Sequence, residues 1–389
     1  MSDAETKLRE VIQKIAQEQD YANSKIALKP LSSGGANYTS QLFTVTLSAP
    51  GKDDIKLFAK IATLGEKIRA MSAIQVFETE IIFYTKILPK YREFEEVHNI
   101  PEEDKFVLPK YFGGSTAYMD EVLVLEELSG KGYQAFDRLK CFDWEYASKS
   151  VAALARLHAF SVAYERDDPE TYSEMVKKLK FTIPTDEMKN FLKNRIETGV
   201  KATEEVNRAR VEKYLKDELT EQTFLKYFNP KRRLFLTHGD FRPSNILHKK
   251  CEDGKLELVL VDYQMIQRGN PVCDLLFFLI SGSDEDFRAN HLHQYFNHYY
   301  ETFSKTLQRL GIDPEEVYTE MDYRSDVKEM LPCGLSLGLM TLPVITVDPE
   351  NAPKPEDGVD LDSFNMEVSD LFRERFNGLV RDYIKFGII

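Results

Sequence analysis

The stretch that decides the fold is HGDFRPSN, residues 238–245, which is followed by VDYQ at residues 261–264. Apolar residues 234–236 predict a short strand that enters this stretch. Residues 246–248 and 256–261 predict a hairpin that leaves it, because the Asp253-Gly254 pair between them is typical of tight turns. We therefore expect paired strands to bring Asp240, Asn245 and Asp262 to one place.

Two carboxylates and an amide at this spacing are the set that phosphoryl transfer needs. One carboxylate, Asp240, would orient the attacking hydroxyl as the catalytic residue, while Asn245 and Asp262 would hold Mg²⁺ on the phosphates of ATP. The alternative is a hairpin with chance acids in its loops. Two motifs in the right order and at the right spacing favour the catalytic interpretation.

HGDFRPSNIL followed by VDYQ resembles the catalytic core of the aminoglycoside and choline kinase superfamily. More narrowly it resembles the ecdysteroid-kinase-like family of arthropods, also called CHK-kinase-like, because Pro271, Asp274-Leu275 and Phe278-Leu279 follow the second motif. The resemblance implies an α+β, bilobal protein-kinase-like fold, with a small antiparallel-sheet N-terminal lobe and a larger, mostly helical C-terminal lobe. It also implies ATP-dependent phosphorylation of an alcohol, and an Asp274 that braces the catalytic loop by hydrogen bonds.

The chain departs from the family pattern at two places. Tyr263 stands where phenylalanine is usual, and Arg242-Pro243-Ser244 stands where many members have a tryptophan and a second asparagine. Both changes fall between the catalytic positions. We therefore expect them to affect substrate contacts more than the reaction itself.

A small-residue segment, residues 31–40, precedes a predicted strand at 41–47. Its Gly34, Gly35 and Asn37 would let backbone amides approach a phosphate, although an ordinary hairpin turn also explains two adjacent glycines. The position ahead of a lysine-bearing strand favours phosphate binding. In the family that it resembles, this segment is the nucleotide loop.

Lys60 lies among apolar residues in the predicted strand 55–61. A buried ammonium needs an anionic partner, and ATP phosphates together with a helix glutamate would supply it. The helix is predicted over residues 73–88. Glu80 matches the acidic position of the family pattern and Glu78 is its competitor, so Lys60 and Glu80 are the predicted phosphate-binding pair.

Residues 106–111 and 121–125 are predicted as the last two strands of the small sheet. Glu126 follows in the connection between the lobes, where its backbone groups would meet the adenine edge. Two glycines soon after this point loosen the chain. We place the boundary there, with residues 1–127 as the nucleotide-binding lobe and 128–389 as the catalytic and substrate-binding lobe.

Most of the remaining sequence predicts helices. An amphipathic helix is expected at 5–19, a core helix at 144–164, and further helices at 290–310 and 366–386, with Gly311 ending the third of these. His158, inside the core helix, is expected to be a hydrogen-bonded core histidine. Residues 170–228 are polar and helix-favouring, and they occupy the place of the helical insertion that helps to build the acceptor pocket in related kinases.

Composition excludes several classes of function. The net charge of −13 argues against binding to nucleic acid, which needs a basic face. Four cysteines without a CxxC pair and a polar N-terminus without a signal peptide indicate a cytoplasmic protein. Residues 331–347 form the most apolar long run. Glycines and prolines interrupt it, so a buried helix is expected there and no membrane contact.

The acceptor is a small-molecule alcohol whose identity the residues leave open. The family resemblance favours an ecdysteroid or related lipophilic alcohol. A choline or ethanolamine kinase is the first alternative, because its cationic acceptor would also use the many tyrosines and phenylalanines. A catalytically inactive kinase fold that acts as a binding protein is the second. Its usual signature is the loss of a metal or phosphate residue, and the chain retains Lys60, Asn245 and Asp262.

Overall fold

A five-stranded antiparallel sheet forms the N-terminal part of the molecule. The computed structural model describes residues 3–32, 40–63, 76–179, 185–220, 232–352 and 367–389. The strands of this sheet are β1 Lys25–Leu31, β2 Ser40–Ser48, β3 Ile55–Ala62, β4 Tyr111–Ser115 and β5 Val122–Glu126. They lie in the order β1-β2-β3-β5-β4, so the lysine-bearing strand is central.

One face of the sheet is covered by α1, Asp3–Glu18. Its Leu8, Ile12 and Ile15 are buried against a cluster that includes Val45 of β2 and Leu57 of β3. Apolar residues three and four positions apart share a face of a helix, which explains how a polar helix covers the sheet. The amphipathic helix predicted at residues 5–19 is confirmed.

The other face is covered by a helix that changes its geometry midway. It begins in the described residues as α2, Val76–Ile82, widens to a π turn over Phe83–Ile87, and continues as α3, Leu88–Val97. The predicted helix ended at residue 88, whereas the observed helix continues to Val97, and the predicted residues 73–75 lie outside the described ranges. Pro89 lies in the first turn of α3, directly after the π turn, and it has no N–H to donate to that turn.

The strand predicted at residues 106–111 is wrong, because β4 begins only at Tyr111. The buried Glu95 carboxylate of α3 accepts the Phe106 N–H at 2.6 Å, so this N–H is not available to a neighbouring strand. Pro109 has no N–H to offer. Residues 106–110 are therefore not part of a strand.

The rest of the described chain is mostly helical, and together with the sheet it makes the predicted α+β, bilobal protein-kinase-like fold. Small strand pairs carry the central motifs: β6 and β9 flank β8, and β7 pairs with β10. The helices are α4 Trp144–Asp167, α5 Pro169–Lys178, α6 Thr185–Ala202, α7 Glu205–Glu218, α8 Pro271–Gly282, α9 Glu285–Arg309, α10 Pro314–Val317, α11 Glu320–Met330, α12 Cys333–Ile345 and α13 Asp370–Lys385. The strands are β6 Gln134–Ala135, β7 Phe235–Thr237, β8 Ile246–Lys250, β9 Leu256–Leu260 and β10 Gln267–Gly269.

The long helices α4 and α9 pack against each other and form the centre of this part. The predicted α9 began at residue 290, but the helix begins at Glu285, because the Asp284 carboxylate accepts the Phe287 N–H at 2.7 Å and caps it. Gly311, with φ of 73°, follows its end as predicted. The helical insertion predicted over 170–228 contains α5, α6 and α7, while residues 180–184 and 221–231 lie outside the described ranges.

The apolar run at residues 331–347 is the buried helix α12, as predicted. Its neighbours are α8, α13 and the insertion helices α6 and α7. Across the described ranges, no helix has both the length and the apolar character needed to cross a membrane.

Candidate active site

Residues 238–245, here called the catalytic loop, run between β7 and β8. The first turn of this loop requires glycine. Gly239 has φ of 78°, and a Cβ built on it would lie 2.2 Å from the Met265 carbonyl oxygen. No other residue fits so close to that backbone in a left-handed conformation. A 3₁₀ turn over Pro243–Asn245 then leads into the predicted hairpin of β8 and β9.

Asp240 and Asn245 lie side by side in this loop. The Asn245 amide nitrogen is 2.9 Å from both the carbonyl oxygen and a carboxylate oxygen of Asp240 and donates to them. The Arg242 Nε lies 3.2 Å from the other Asp240 carboxylate oxygen. Burial raises the pKa of Asp240, while the Arg242 guanidinium acts in the opposite direction. The Asp240 side chain is 16% exposed, so a small group can reach it.

Asp274 of α8 braces the start of the loop, which confirms its predicted structural role. One carboxylate oxygen accepts the His238 N–H at 2.7 Å and the other accepts the Gly239 N–H at 2.9 Å. His158 of α4 lies 3.2 Å from the same carboxylate and 2.7 Å from the Tyr299 hydroxyl of α9. His158 is fully buried, so its prediction as a hydrogen-bonded core histidine is also confirmed.

Tyr146 holds the far end of the loop, and the sequence interpretation missed it. Its hydroxyl lies 3.1 Å from the Pro243 carbonyl oxygen and 2.9 Å from that of Ile246. The residue is on the first turn of α4, about a hundred residues before the loop. A tyrosine at a helix start carries no pattern that points to such a distant backbone, so the sequence offered no signal.

Lys60 joins the sheet to the second motif. Its ammonium nitrogen lies 2.6 Å from the Asp262 carboxylate and 2.9 Å from that of Glu80, so Glu80, not Glu78, faces the lysine. Burial alone would lower the pKa of Lys60, but the two carboxylates together raise it above its ordinary value. Lys60 and Asp262 are 202 residues apart in the chain. The structure therefore brings the two lobes together at this pair.

The Lys60 ammonium lies between a buried carboxylate, Glu80, and a partly exposed one, Asp262, and it affects their pKa values unequally. Burial raises the pKa of Glu80 to about 7, although Lys60 lowers it. Burial would raise the pKa of Asp262 too, but the nearer Lys60 outweighs that effect and lowers it. Asp262 is thus held as the carboxylate, which is the form that binds a metal ion.

The backbone at Asp262 is left-handed, with φ of 69° and ψ of 57°. This conformation is uncommon for a residue with a side chain and costs about 1 kcal/mol or more. It precedes Tyr263, whose ring stacks on Phe83 of the π turn with centroids 3.5 Å apart. Tyr263 is completely buried, so its hydroxyl is not accessible to a substrate, and the expectation that this departure affects substrate contacts is wrong for Tyr263.

The residues predicted to hold Mg²⁺ fit that ion. The Val261 N–H donates to the Asn245 carbonyl oxygen at 2.9 Å. This hydrogen bond holds Asn245 beside Val261, the residue directly before Asp262. The Asn245 amide nitrogen donates to Asp240, which leaves the amide oxygen as the atom that could bind a metal ion. Carboxylate and amide oxygens are the donors that a small hard cation prefers.

Only one of the two backbone polar groups of Glu126, the residue predicted at the adenine edge, is available to a nucleotide. Its N–H donates to the Lys110 carbonyl at 2.8 Å, so its carbonyl is the group left for a nucleotide. The side chain accepts the Lys110 N–H and forms an ion pair with Lys131. Gly34, Gly35 and Asn37 lie outside the described residues.

The fold and the match to a family model define a protein-kinase-like phosphotransferase. The chain belongs to the ecdysteroid kinase-like family, whose model matches residues 34–312. No curated protein matches the chain by sequence. Solved structures similar to this one include the GDP complex of wild-type aminoglycoside 2′-phosphotransferase-IIIa, with a TM-score of 0.40 and 14% identity, covering 87% of this chain and 98% of that one. Another is the GDP and kanamycin complex of APH(2″)-IIIa, with a TM-score of 0.42 and 14% identity, covering 85% and 97%.

Proposed function

We propose that this protein transfers the γ-phosphoryl group of ATP to a hydroxyl of a small lipophilic alcohol, such as an ecdysteroid. The observation that carries the proposal is the convergence of Lys60, Asp262 and the Asp240–Asn245 pair from distant parts of the chain. The family to which the chain belongs supports the acceptor class. The lobe boundary is proposed at residues 127/128, directly after β5 ends at Glu126.

Each polar group in the site has a task in this reaction. Asp240 orients the acceptor hydroxyl and accepts its proton. Lys60, steadied by Glu80, binds ATP phosphates, and Gly34, Gly35 and Asn37 lie in the loop proposed to cover them. The Glu126 carbonyl accepts a hydrogen bond from the adenine amine. Asn245 and Asp262 hold Mg²⁺, which neutralises phosphate charge when bound.

The test is a screen for ATP consumption with four acceptor classes: ecdysteroids, choline, ethanolamine and aminoglycosides. The proposal expects ADP release that depends on an ecdysteroid or a related alcohol. Turnover with choline or ethanolamine instead would keep the kinase and replace the acceptor. No turnover with any acceptor, together with ATP binding, would indicate an inactive kinase fold that acts as a binding protein.

Asp240→Asn makes the screen specific to the site. This change keeps the size of the side chain and removes the proton acceptor, so kcat should fall by about a hundred-fold to ten-thousand-fold. The KM for ATP should change little, because other groups bind ATP. Thermal melting measured beside turnover separates lost chemistry from lost folding. A variant with wild-type rate and stability would contradict the role of Asp240.

A further inference from the structure

A cavity of about 350 Å³, here called the α4–α10 pocket, opens on the surface of the helical part of the molecule. Its walls are the last turns of α4, the segment that enters β7, and α10. Two valines, two glutamates and two arginines line it: Val162, Glu165, Arg166, Arg233, Glu316 and Val317. A cavity of this size is at the lower end of the range that holds small-molecule ligands, about 300–1,000 Å³. Among the described residues, none of those proposed for catalysis or phosphate binding lines it.

The charged groups of this pocket do not balance. Glu165 accepts a hydrogen bond from Arg233, and its carboxylate also lies 3.3 Å from the guanidinium of Arg268 on β10. One carboxylate is thus shared by two guanidinium groups. The more exposed Arg166 lies 3.9 Å from Glu316, which is too far for a hydrogen bond. Three guanidinium groups meet two carboxylates here, so this set carries one positive charge in excess, in a chain whose net charge is −13.

This imbalance defines the chemical class of a ligand. A guanidinium presents planar N–H donors that match the two oxygens of a carboxylate. One excess positive charge suits a monocarboxylate better than a phosphate monoester, which carries about −1.5 to −2 at neutral pH. A second carboxylate on the ligand would be repelled by Glu165 and Glu316. Val162 and Val317 offer apolar surface, which an aliphatic body covers favourably.

All three walls of the pocket are attached to β7. Ser161 of α4 accepts the Leu236 N–H at 3.2 Å. The ring of Tyr318, directly after α10, packs on Phe235 with centroids 5.2 Å apart. Arg233 lies two residues before the strand begins. The catalytic loop begins where β7 ends, so a ligand that bridges α4 and α10 would also fix the strand that leads into this loop.

We propose that the α4–α10 pocket binds a small aliphatic monocarboxylate, and that this binding stabilises β7 and the catalytic loop. Arg166 and Arg233 donate hydrogen bonds to the carboxylate, while Val162 and Val317 contact the aliphatic body. Binding forms and breaks no covalent bond. The pocket is thus an effector site apart from the site of phosphoryl transfer, and the proposal does not depend on which acceptor the protein phosphorylates.

The experiment uses 4-methylpentanoate as the probe, in calorimetry at low ionic strength. The wild type should bind it at least about ten-fold more tightly than acetate, which lacks the aliphatic body, or 4-methylpentanamide, which lacks the charge. The melting temperature should rise with the concentration of the probe, because the probe binds the folded state. Saturating Mg²⁺ and ADP should change the affinity for the probe by less than about three-fold. Loss of probe binding under this condition would place the probe in the nucleotide site and overturn the proposal.

Two exposed positions distinguish this pocket from other binding. Arg166→Met removes a cation and should weaken probe binding at least about ten-fold. Glu316→Gln removes a carboxylate that repels the probe and should strengthen binding about three-fold, a gain that misfolding does not produce. Arg324→Met, which changes an exposed arginine beside Glu320 on α11, is the matched control and should leave the affinity unchanged. A wild type that does not bind the probe, or equal affinity of the wild type, Arg166→Met and Glu316→Gln, overturns the proposal.

Discussion

The catalytic loop and the Lys60 cluster are organised in opposite ways. The loop is held by partners that no ligand has to displace: Asp274 accepts its first two N–H groups, and Tyr146 reaches two of its carbonyls. The cluster is held by charge, with Lys60 between Glu80 and Asp262. The loop is thus complete without a nucleotide, whereas the cluster uses the very groups that ATP and Mg²⁺ would bind.

This difference shows which part of the site must rearrange. Lys60 lies 2.6 Å from Asp262, so a metal ion on Asp262 has to replace or share that contact. The phosphates offer Lys60 new anionic partners at the same time. Under the proposed function, nucleotide binding at the cluster would be an exchange of partners, whereas the loop would only have to receive the acceptor.

Among the variants that test this contrast, Asp262→Ala should have the largest effect, and the effect is on turnover. The change removes a proposed metal ligand, so ATP turnover should fall by about a thousand-fold. The wild type should bind ATP more tightly when Mg²⁺ is added, and the variant should lose that gain in calorimetry. The melting temperature should change little, because Lys60 keeps its ion pair with Glu80. Asp217→Ala on the exposed face of α7 is the control. Equal nucleotide affinity of the wild type with and without Mg²⁺ would contradict the metal site.

Asp274→Ala should have the next largest effect, and on stability. It leaves the N–H groups of His238 and Gly239, and a nitrogen of His158, without their buried acceptor. Losing one partner from such a buried network costs about 3–5 kcal/mol in the free energy of unfolding. Urea denaturation measures this cost. If stability stayed within about 0.5 kcal/mol of the wild type, the loop would not depend on this brace, and the contrast with the cluster would fail.

Tyr263→Phe should stabilise the protein slightly. Among the described residues, no group forms a hydrogen bond with the Tyr263 hydroxyl, which is buried against the π turn. Removing a buried hydroxyl of this kind should raise the free energy of unfolding by about 1 kcal/mol. Chemical denaturation provides the measurement, and Tyr133→Phe, whose hydroxyl donates to Glu257, is the control that should lose stability. A destabilised Tyr263→Phe would show that the hydroxyl has a useful partner.

The smallest expected effect is a pH dependence at His238. Burial lowers the pKa of His238 below its ordinary value of 6.5. The unfolded chain therefore takes up this proton at higher pH than the folded chain does. The contribution of His238 to stability is complete above about pH 6.5 and is lost as the pH falls below it. Melting temperatures between pH 7 and 5 should fall less steeply in His238→Gln than in the wild type, and equal slopes would show that another group titrates.

Local patterns in the sequence predicted those parts of the site that depend on neighbouring residues. The strand–loop–hairpin arrangement, the Asp253-Gly254 turn and the amphipathic α1 follow from periodicity and turn chemistry, and the structure confirms them. The strand predicted at 106–111 failed because a side chain from another element, Glu95, captured a backbone N–H. A hydrogen bond of this kind leaves no periodic pattern in the sequence.

Other contacts could not be found from the sequence because they join distant segments through single atoms. Tyr146 meets the loop about a hundred residues later in the chain, and Tyr299 reaches His158 across 141 residues. Arg242 was visible as the one cation between Asp240 and Asn245 in the motif. Its direction, toward Asp240, depends on a turn geometry that residue types alone do not specify.

The brace of the catalytic loop also sets an order for folding during synthesis. The loop is hydrogen-bonded to the Asp274 carboxylate. His158, which contacts this carboxylate, is itself hydrogen-bonded to Tyr299. A ribosome-bound chain that has exposed all the site residues through Asp262 still lacks both of these groups. The nascent protein therefore carries every predicted catalytic and metal-binding residue before it can fix them in place. Activity should appear only after α9 has left the exit tunnel and docked on α4.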